Sequence, residues 1–421
     1  MTNQVHVSSE IGALRRVIVH RPDEGIARIS PKRAEELLFD DIVYLPKMQE
    51  EHDIFTNVLR AFVGNENVLG TTNLLREALR HDEESKQEML TKIVDYEELP
   101  TSYRDMLLEM PDELLAKVLV NGYYPEEDIF LFDPIPNFIF TRDIAVTVNN
   151  HIVITKPAKE ARFRENYLTR FIIWAHPIFR ELRETDRIIN MNRVDEFPPS
   201  RRGEMISIEG GDMMVLNKDY LLIGCSERTT EYAVKSLKDA LLQRDVIKHV
   251  VQVNIPNDRS YMHIDTVFTQ ISRNHLVAYK PIVEDGLGSY VTVYGQDGVE
   301  RHYPTVKEFI LSEINSKMQF IWSGDGESPY QEREQWTDGC NLVALKPGVA
   351  LTYDRNPMTE KAFEKAGYRT AHARELLAAF RDGIIKPEEI KDTIILLPSN
   401  ELSRARGGSH CMTCPIERDD L

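Results

Sequence analysis

The side chains able to do covalent chemistry lie in four runs far apart in the chain. Cys411 stands in RGGSHCMTCP, Arg406 to Pro415; His263 and Asp265 share MHID; Glu209 and Asp212 flank two glycines in IEGGD; Asp143 closes NFIFTRD, which begins at Asn137. Cysteine with histidine points to covalent catalysis by acyl or amidine transfer. The carboxylates choose between the two. They would repel an acyl oxyanion and raise the thiol pKa, whereas a positively charged planar substrate gains from them. The expected electrophile is therefore a cation. Guanidinium is the obvious candidate, because its fork of N–H donors matches paired carboxylates bidentately.

Each run alone also has an ordinary reading: Asp as a cap or turn residue, Gly-Gly as a bend, His as a satisfied core residue. Gly407 and Gly408 are expected to take φ > 0 and bring backbone close to a ligand, with Pro415 barring a long helix after the cysteines. Cys411 and Cys414 form a CxxC, but too little chain follows for a redox helix. A zinc site wants spaced pairs of ligands, and Cys225 and Cys340 are isolated. No metal and no cofactor is expected. His263 and Asp265, two apart in a predicted strand, would face one side. Gly210 and Gly211 would bend the chain so that Glu209 and Asp212 aim at a shared point.

Positioning these runs falls to a recurrent unit. Apolar strand pairs are predicted at Ile144 to Val148 with Ile152 to Ile154, Met213 to Leu216 with Tyr220 to Ile223, Thr266 to Ile271 with His275 to Tyr279, and Asn341 to Leu345 with Val349 to Thr352. Helices are predicted from about Thr230 to Leu242 and Thr359 to Ala366, and Leu14 to His20 reads as a further buried strand before Arg21-Pro22. About five such modules predict a closed, propeller-like ring around one central cavity, on which the polar runs converge. From 73 to 128 the spacing is helical, as in Leu74, Leu75, Ala78 and Leu79, and predicts a small helical bundle inserted in the catalytic domain. Asp112 is the expected cap of its last helix, and Gly122 its end. Pro31 to Leu38, with Ser30 as cap, also reads as a helix, followed by the acidic pair Asp40-Asp41 in a solvated loop.

Composition narrows the partners. With 421 residues, 42% hydrophobic and 28% charged, the chain is globular, and no apolar run reaches the roughly 20 residues of a membrane helix. The first residues carry no secretory pattern, and four cysteines make no disulfide framework, so a cytoplasmic protein is expected. A net charge of −17 disfavours nucleic acid and anionic membranes. The expected partners are a small-molecule substrate and further copies of the chain, as a homo-oligomer.

The runs NFIFTRD, EGGD, MHIDTVFT, REQWTDGCN and GGSHCMTCPI, together with ELLFDD at Glu36 to Asp41, closely resemble those of bacterial arginine deiminases of the guanidine-modifying (pentein) superfamily, in the same order along almost the whole chain. The resemblance implies a five-bladed α/β propeller with a helical insertion, hydrolysing L-arginine to L-citrulline and ammonia without metal or cofactor. It makes Cys411 the nucleophile and His263 the general acid and base. Asp143 and Asp265 would hold the guanidinium, and Glu209 would orient His263. Asp212 would meet the substrate's ammonium end; Asn137, Arg162 and Arg228 would meet its carboxylate; Phe140 would pack against it, and Arg406 would be a mobile arginine before the nucleophile. Ser403 and Ala405 stand where the family has glycines, and Leu376 to Pro398 is longer, which touches gating. Sibling activities are arginine dihydrolysis, agmatine deimination and amidino transfer; a non-catalytic ligand-binding propeller is the reading from another class.

Overall fold

A pair of short β-branched strands cannot bury both faces alone, so it needs a helix and a further strand beside it. The computed structural model, which describes residues 5–39 and 41–421, meets that need the same way five times. In each case two antiparallel strands are followed by helix and then by a strand parallel to the second. Ala145–Val148 and His151–Ile154 pair antiparallel, the helix Phe163–Ala175 crosses over, and Ile188–Asn190 lies parallel to the second strand. Met213–Asn217 and Tyr220–Cys225 lead through the helix Glu231–Gln243 to His249–Asn254, and this sheet is extended by Tyr290–Gly295 and Glu300–Tyr303. Phe268–Ser272 and His275–Ala278 are joined by Gln319–Trp322. Val343–Lys346 and Val349–Tyr353 lead through Pro357–Lys365 to two parallel strands, Arg369–His372 and Thr393–Leu397.

The remaining unit is assembled from both ends of the chain. Leu14–Val19 pairs antiparallel with the C-terminal strand Cys414–Arg418 and parallel with Val68–Gly70, reached through the helix Leu45–Val63. Cys411 therefore enters on the strand that joins the two ends.

The helical insertion forms as expected, from Thr71–His81, Glu83–Tyr96, Ser102–Glu109 and Asp112–Asn121, with Leu74, Leu75, Ala78 and Leu79 buried on one stripe. Gly122 ends the last helix at φ 76°, a left-handed conformation that glycine adopts without strain. Its start is not capped by Asp112: Pro111 holds the cap position, and Asp112 lies in the first turn near Lys86 and Arg80. The expected helix at 31–38 is a series of turns. Leu38 takes φ 55°, which a helix forbids, and Phe39 then enters the core fully buried. Of the acidic pair, Asp40 lies outside the described residues, and Asp41 is exposed and paired with Arg404 at 2.9 Å. The helix at 45–63 has no counterpart in the sequence reading. Among the described residues no helix is long and apolar enough to cross a membrane.

Candidate active site

The polar runs fold as short 3-10 turns ahead of the strands: Pro136–Ile139, Gly210–Asp212, Ile264–Thr266 and, before Cys411, Leu402–Ala405. A tight turn at the mouth of a hairpin lets a polar side chain point along the strand ends while its backbone stays bonded. Residues in or beside these four turns line one small pocket of about 40 Å³. Asn137, Phe140, Asp143, Arg162, Glu209, Arg228, His263, Arg406 and Cys411 line it. The predicted convergence is present in the molecule.

At its centre His263 Nε2 lies 2.9 Å from Glu209 Oε2, and Nδ1 lies 3.8 Å from Asp143 Oδ1. Burial opposes a charge on this imidazole, but the carboxylates of Asp143, Glu209 and Asp212 outweigh it and raise the pKa to about 10. Glu209 is buried too, yet the His263 bond and Arg162 hold its carboxyl well below the usual range. His263 is thus a buried imidazolium with a proton to give.

The thiol is in the opposite state. Burial and the carboxylates of Asp265, Asp143 and Asp338 push the Cys411 pKa well above that of a free thiol. Cys411 Sγ lies 3.4 Å from Asp265 Oδ2 and accepts a hydrogen bond of 3.1 Å from Asn341 Nδ2.

Arg162 and Arg228 are buried rather than surface arginines, and Arg162 sits where a substrate guanidinium was expected. Its Nη1 is 2.6 Å from Asp143 Oδ2 and 3.4 Å from Glu209 Oε2, and its Nε donates to Glu165 Oε2 at 2.9 Å. Arg228 Nη1 lies 3.7 Å from Glu209 Oε1. Arg406, at φ 62°, stacks its guanidinium 3.3 Å above the Trp336 ring. Asn137 donates from Nδ2 to the carbonyl of Leu37.

Among the described residues, Asp143, Glu209 and His263 are the group whose ligand atoms, all within 4.8 Å of one another, have the spacing of a metal site. The Arg162 guanidinium already lies between two of these carboxylates, so the set is seen to accept a planar cation.

Three local expectations are corrected. Asp212 does not line the cavity: its oxygens accept from Ile264 N at 2.9 Å and Ser226 Oγ at 2.6 Å, and burial pushes its carboxyl up to about 7. It buttresses the His263 turn instead of facing a ligand. His263 and Asp265 do not share a strand face, because Asp265 lies within the 3-10 turn; His263 reaches Glu209, and Asp265 reaches Cys411. Gly407 and Gly408 do not take φ > 0. A side chain on Gly407 would strike the Phe140 ring, and one on Gly408 would come within 2.6 Å of Asn341 Oδ1, so close packing is what requires glycine.

A family model described as arginine deiminase matches residues 35–124 and 102–418. The arginine deiminase of Listeria monocytogenes serotype 4b (strain CLIP80459) is 34% identical over 450 residues, covering 100% of this chain and 99% of that protein. The arginine deiminase of Limosilactobacillus fermentum is 33% identical over 446 residues, covering both chains fully. The chain belongs to the arginine deiminase family. Its fold is also that of a solved amidinotransferase, SxtG from Microseira wollei, at a TM-score of 0.52 and 14% identity, covering 99% of this chain and 98% of that one. The pentein-like mixed α/β architecture is thereby shown.

In this member of the arginine deiminase family, several residues at the site escaped the sequence reading. Asn341, which contacts the thiol, lies in REQWTDGCN, and Glu165 is three residues beyond Arg162, a spacing that pairs side chains at a helix start. Both carried a legible signal. Glu10 carried none; it reaches the site region only because its backbone pairs with Val215.

Proposed function

We propose that the protein hydrolyses L-arginine to L-citrulline and ammonia through a covalent Cys411 amidino-thioether. The observation that carries this reading is the meeting of Cys411, His263, Asp143 and Glu209 on one small pocket. In the resting site the thiol is protonated and the imidazole is charged. A guanidinium bound between the carboxylates and the sulfur reverses the field at the thiol, which releases its proton to solvent and becomes the nucleophile. Cys411 Sγ bonds to the guanidinium carbon, His263 gives its proton to the departing ammonia, and the C–N bond breaks. His263, now neutral, takes a proton from water. The resulting hydroxide adds to the same carbon, the C–S bond breaks, the proton of the new hydroxyl passes to the sulfur, and citrulline leaves with the resting thiol restored. Asp143 and Asp265 hold the guanidinium, and Glu209 keeps His263 oriented. Arg162 and Arg228, with Asn137, receive the substrate carboxylate, which disfavours agmatine. Phe140 packs beside the substrate, and Arg406 moves with its loop.

A pocket of about 40 Å³ is far too small for arginine. Arginine therefore enters only when Arg162 leaves the carboxylates and the loop carrying Arg406 lifts from Trp336. The same reading takes 1–421 as one catalytic five-bladed α/β propeller with 73–128 inserted in it. Four unpaired cysteines fit a reducing cytoplasm. The native mass in solution tests the proposed homo-oligomer.

Incubation with arginine should give citrulline and ammonia in equal amounts, and Cys411→Ala should remove turnover while leaving the far-UV spectrum unchanged. Ornithine with two ammonia, or guanidino transfer to an added amine, would assign a sibling activity. Substantial citrulline from the Ala variant would remove Cys411 from its role.

A further inference from the structure

Asp265, one of the two carboxylates assigned to the guanidinium, is completely buried, and one of its oxygens is already taken. Oδ2 lies 2.9 Å from His410 Nδ1 and 3.4 Å from Cys411 Sγ, while Oδ1 has no protein partner. The other His410 nitrogen, Nε2, lies 3.3 Å from Glu10 Oε2. Glu10 is itself bound: Arg142 Nη2 donates to Oε2 at 3.3 Å and Val215 N to Oε1 at 3.2 Å. Burial raises the Glu10 carboxyl, but Arg142, the His410 hydrogen bond and Arg418 hold it well below the usual carboxylate range. With its two ring nitrogens facing Asp265 and Glu10, the His410 ring is held from both sides, and a proton on Nδ1 gives Asp265 Oδ2 its donor.

We infer that His410 is a positioning residue for Asp265: its Nδ1–H fixes Oδ2, leaving Oδ1 as the free acceptor for a guanidinium N–H. His410 touches no substrate in this scheme and acts through Asp265. The inference rests on the arginine-hydrolysing reading above. It makes the residue next to the nucleophile a part of guanidinium binding.

Two substitutions separate positioning from mere packing. The amide nitrogen of asparagine falls near the place of Nδ1, and that of glutamine near Nε2. His410→Asn should therefore retain the Asp265 bond and stay within a few-fold of wild type in kcat/KM for arginine. His410→Gln should lose it and fall by about 10- to 100-fold, the range set by one hydrogen bond to a charged group. Arginine binding, measured by calorimetry in the non-turning-over Cys411→Ala protein, should weaken with His410→Gln but not weaken further once Asp265→Asn is also present. Equal activity of the two variants and wild type, the reverse order, or a His410→Gln effect that persists in the Asp265→Asn background would overturn the inference. Thermal melting identifies a variant that fails to fold; if that is His410→Gln, His410→Ala takes its place in both measurements. Wild-type protein that makes no citrulline would instead sink the functional reading beneath it.

Discussion

Arg162 already answers the two carboxylates that an incoming guanidinium needs, so substrate entry is an exchange of one guanidinium for another. Removing it should act in opposite directions on two ligands. In Arg162→Gln, guanidinium ion at millimolar concentration should inhibit more strongly, because Asp143 and Glu209 are released. Arginine should bind more weakly, with KM raised about 10- to 100-fold, because its carboxylate loses a charged partner. Competition kinetics read both; a shift of the two in the same direction would count against the exchange. His263 adds a pH signature. Its pKa is raised from 6.5 to about 10 in the folded state, against burial, by Asp143, Glu209 and Asp212. The stability it contributes is complete below about 6.5 and is lost as pH rises through about 10. The unfolding midpoint of wild type relative to His263→Gln should thus shrink steadily over that window, and a constant difference would refute the charged pair. Residue chemistry was the most legible layer of the sequence, since few side chains suit a cationic electrophile. Pairings were less so: the position of Arg162 depends on where the helix Phe163–Ala175 starts, and no local pattern fixes that.

Strand pairs with turn residues between them were readable because β-branched runs and Asn, Asp or Gly punctuation act locally. The helix Leu45–Val63 was hidden because its inner face carries buried Glu51 and His52. Glu51 is held by a distant loop, accepting from the backbone N–H groups of Asn400, Glu401 and Leu402. A polar residue made internal by a remote partner breaks the apolar stripe that marks a helix in sequence. At Gly210 and Gly211 the chain bends as expected, in a 3-10 turn, but the glycines serve proximity there, since neither takes positive φ. A Cβ on Gly211 would lie 2.5 Å from His263 Nδ1 and 3.0 Å from Asp143 Oδ1. Gly211→Ala should therefore lower kcat by at least about tenfold by displacing the imidazole, a loss equal to about 1.4 kcal/mol of barrier, while far-UV dichroism stays unchanged. Gly70→Ala is the control, since the nearest atom to its added Cβ is 3.6 Å away. Full activity in the Gly211 variant would show that the imidazole need not sit where it does.

At the scale of the molecule, the strand that follows Cys411 pairs with the first strand of the chain and buries Cys414 and Ile416 in the core shared with the helical insertion. Closure and catalysis are therefore linked: the nucleophile is placed by the same residues that join the two ends. If 1–421 folds as one domain, loosening that strand should destabilise every unit together rather than release one. Ile416 is completely buried, so Ile416→Ala should cost about 2 to 5 kcal/mol by lost transfer energy and the cavity left behind. Trp174 lies in the helix Phe163–Ala175 and Trp322 on the strand Gln319–Trp322, so fluorescence samples different sheets of the molecule while far-UV dichroism samples all of it. In urea both signals should move to lower midpoint together and remain a single transition. Separated transitions would divide the chain into independently stable parts, and an unchanged midpoint would mean that the C-terminal strand does not hold the two ends of the chain together.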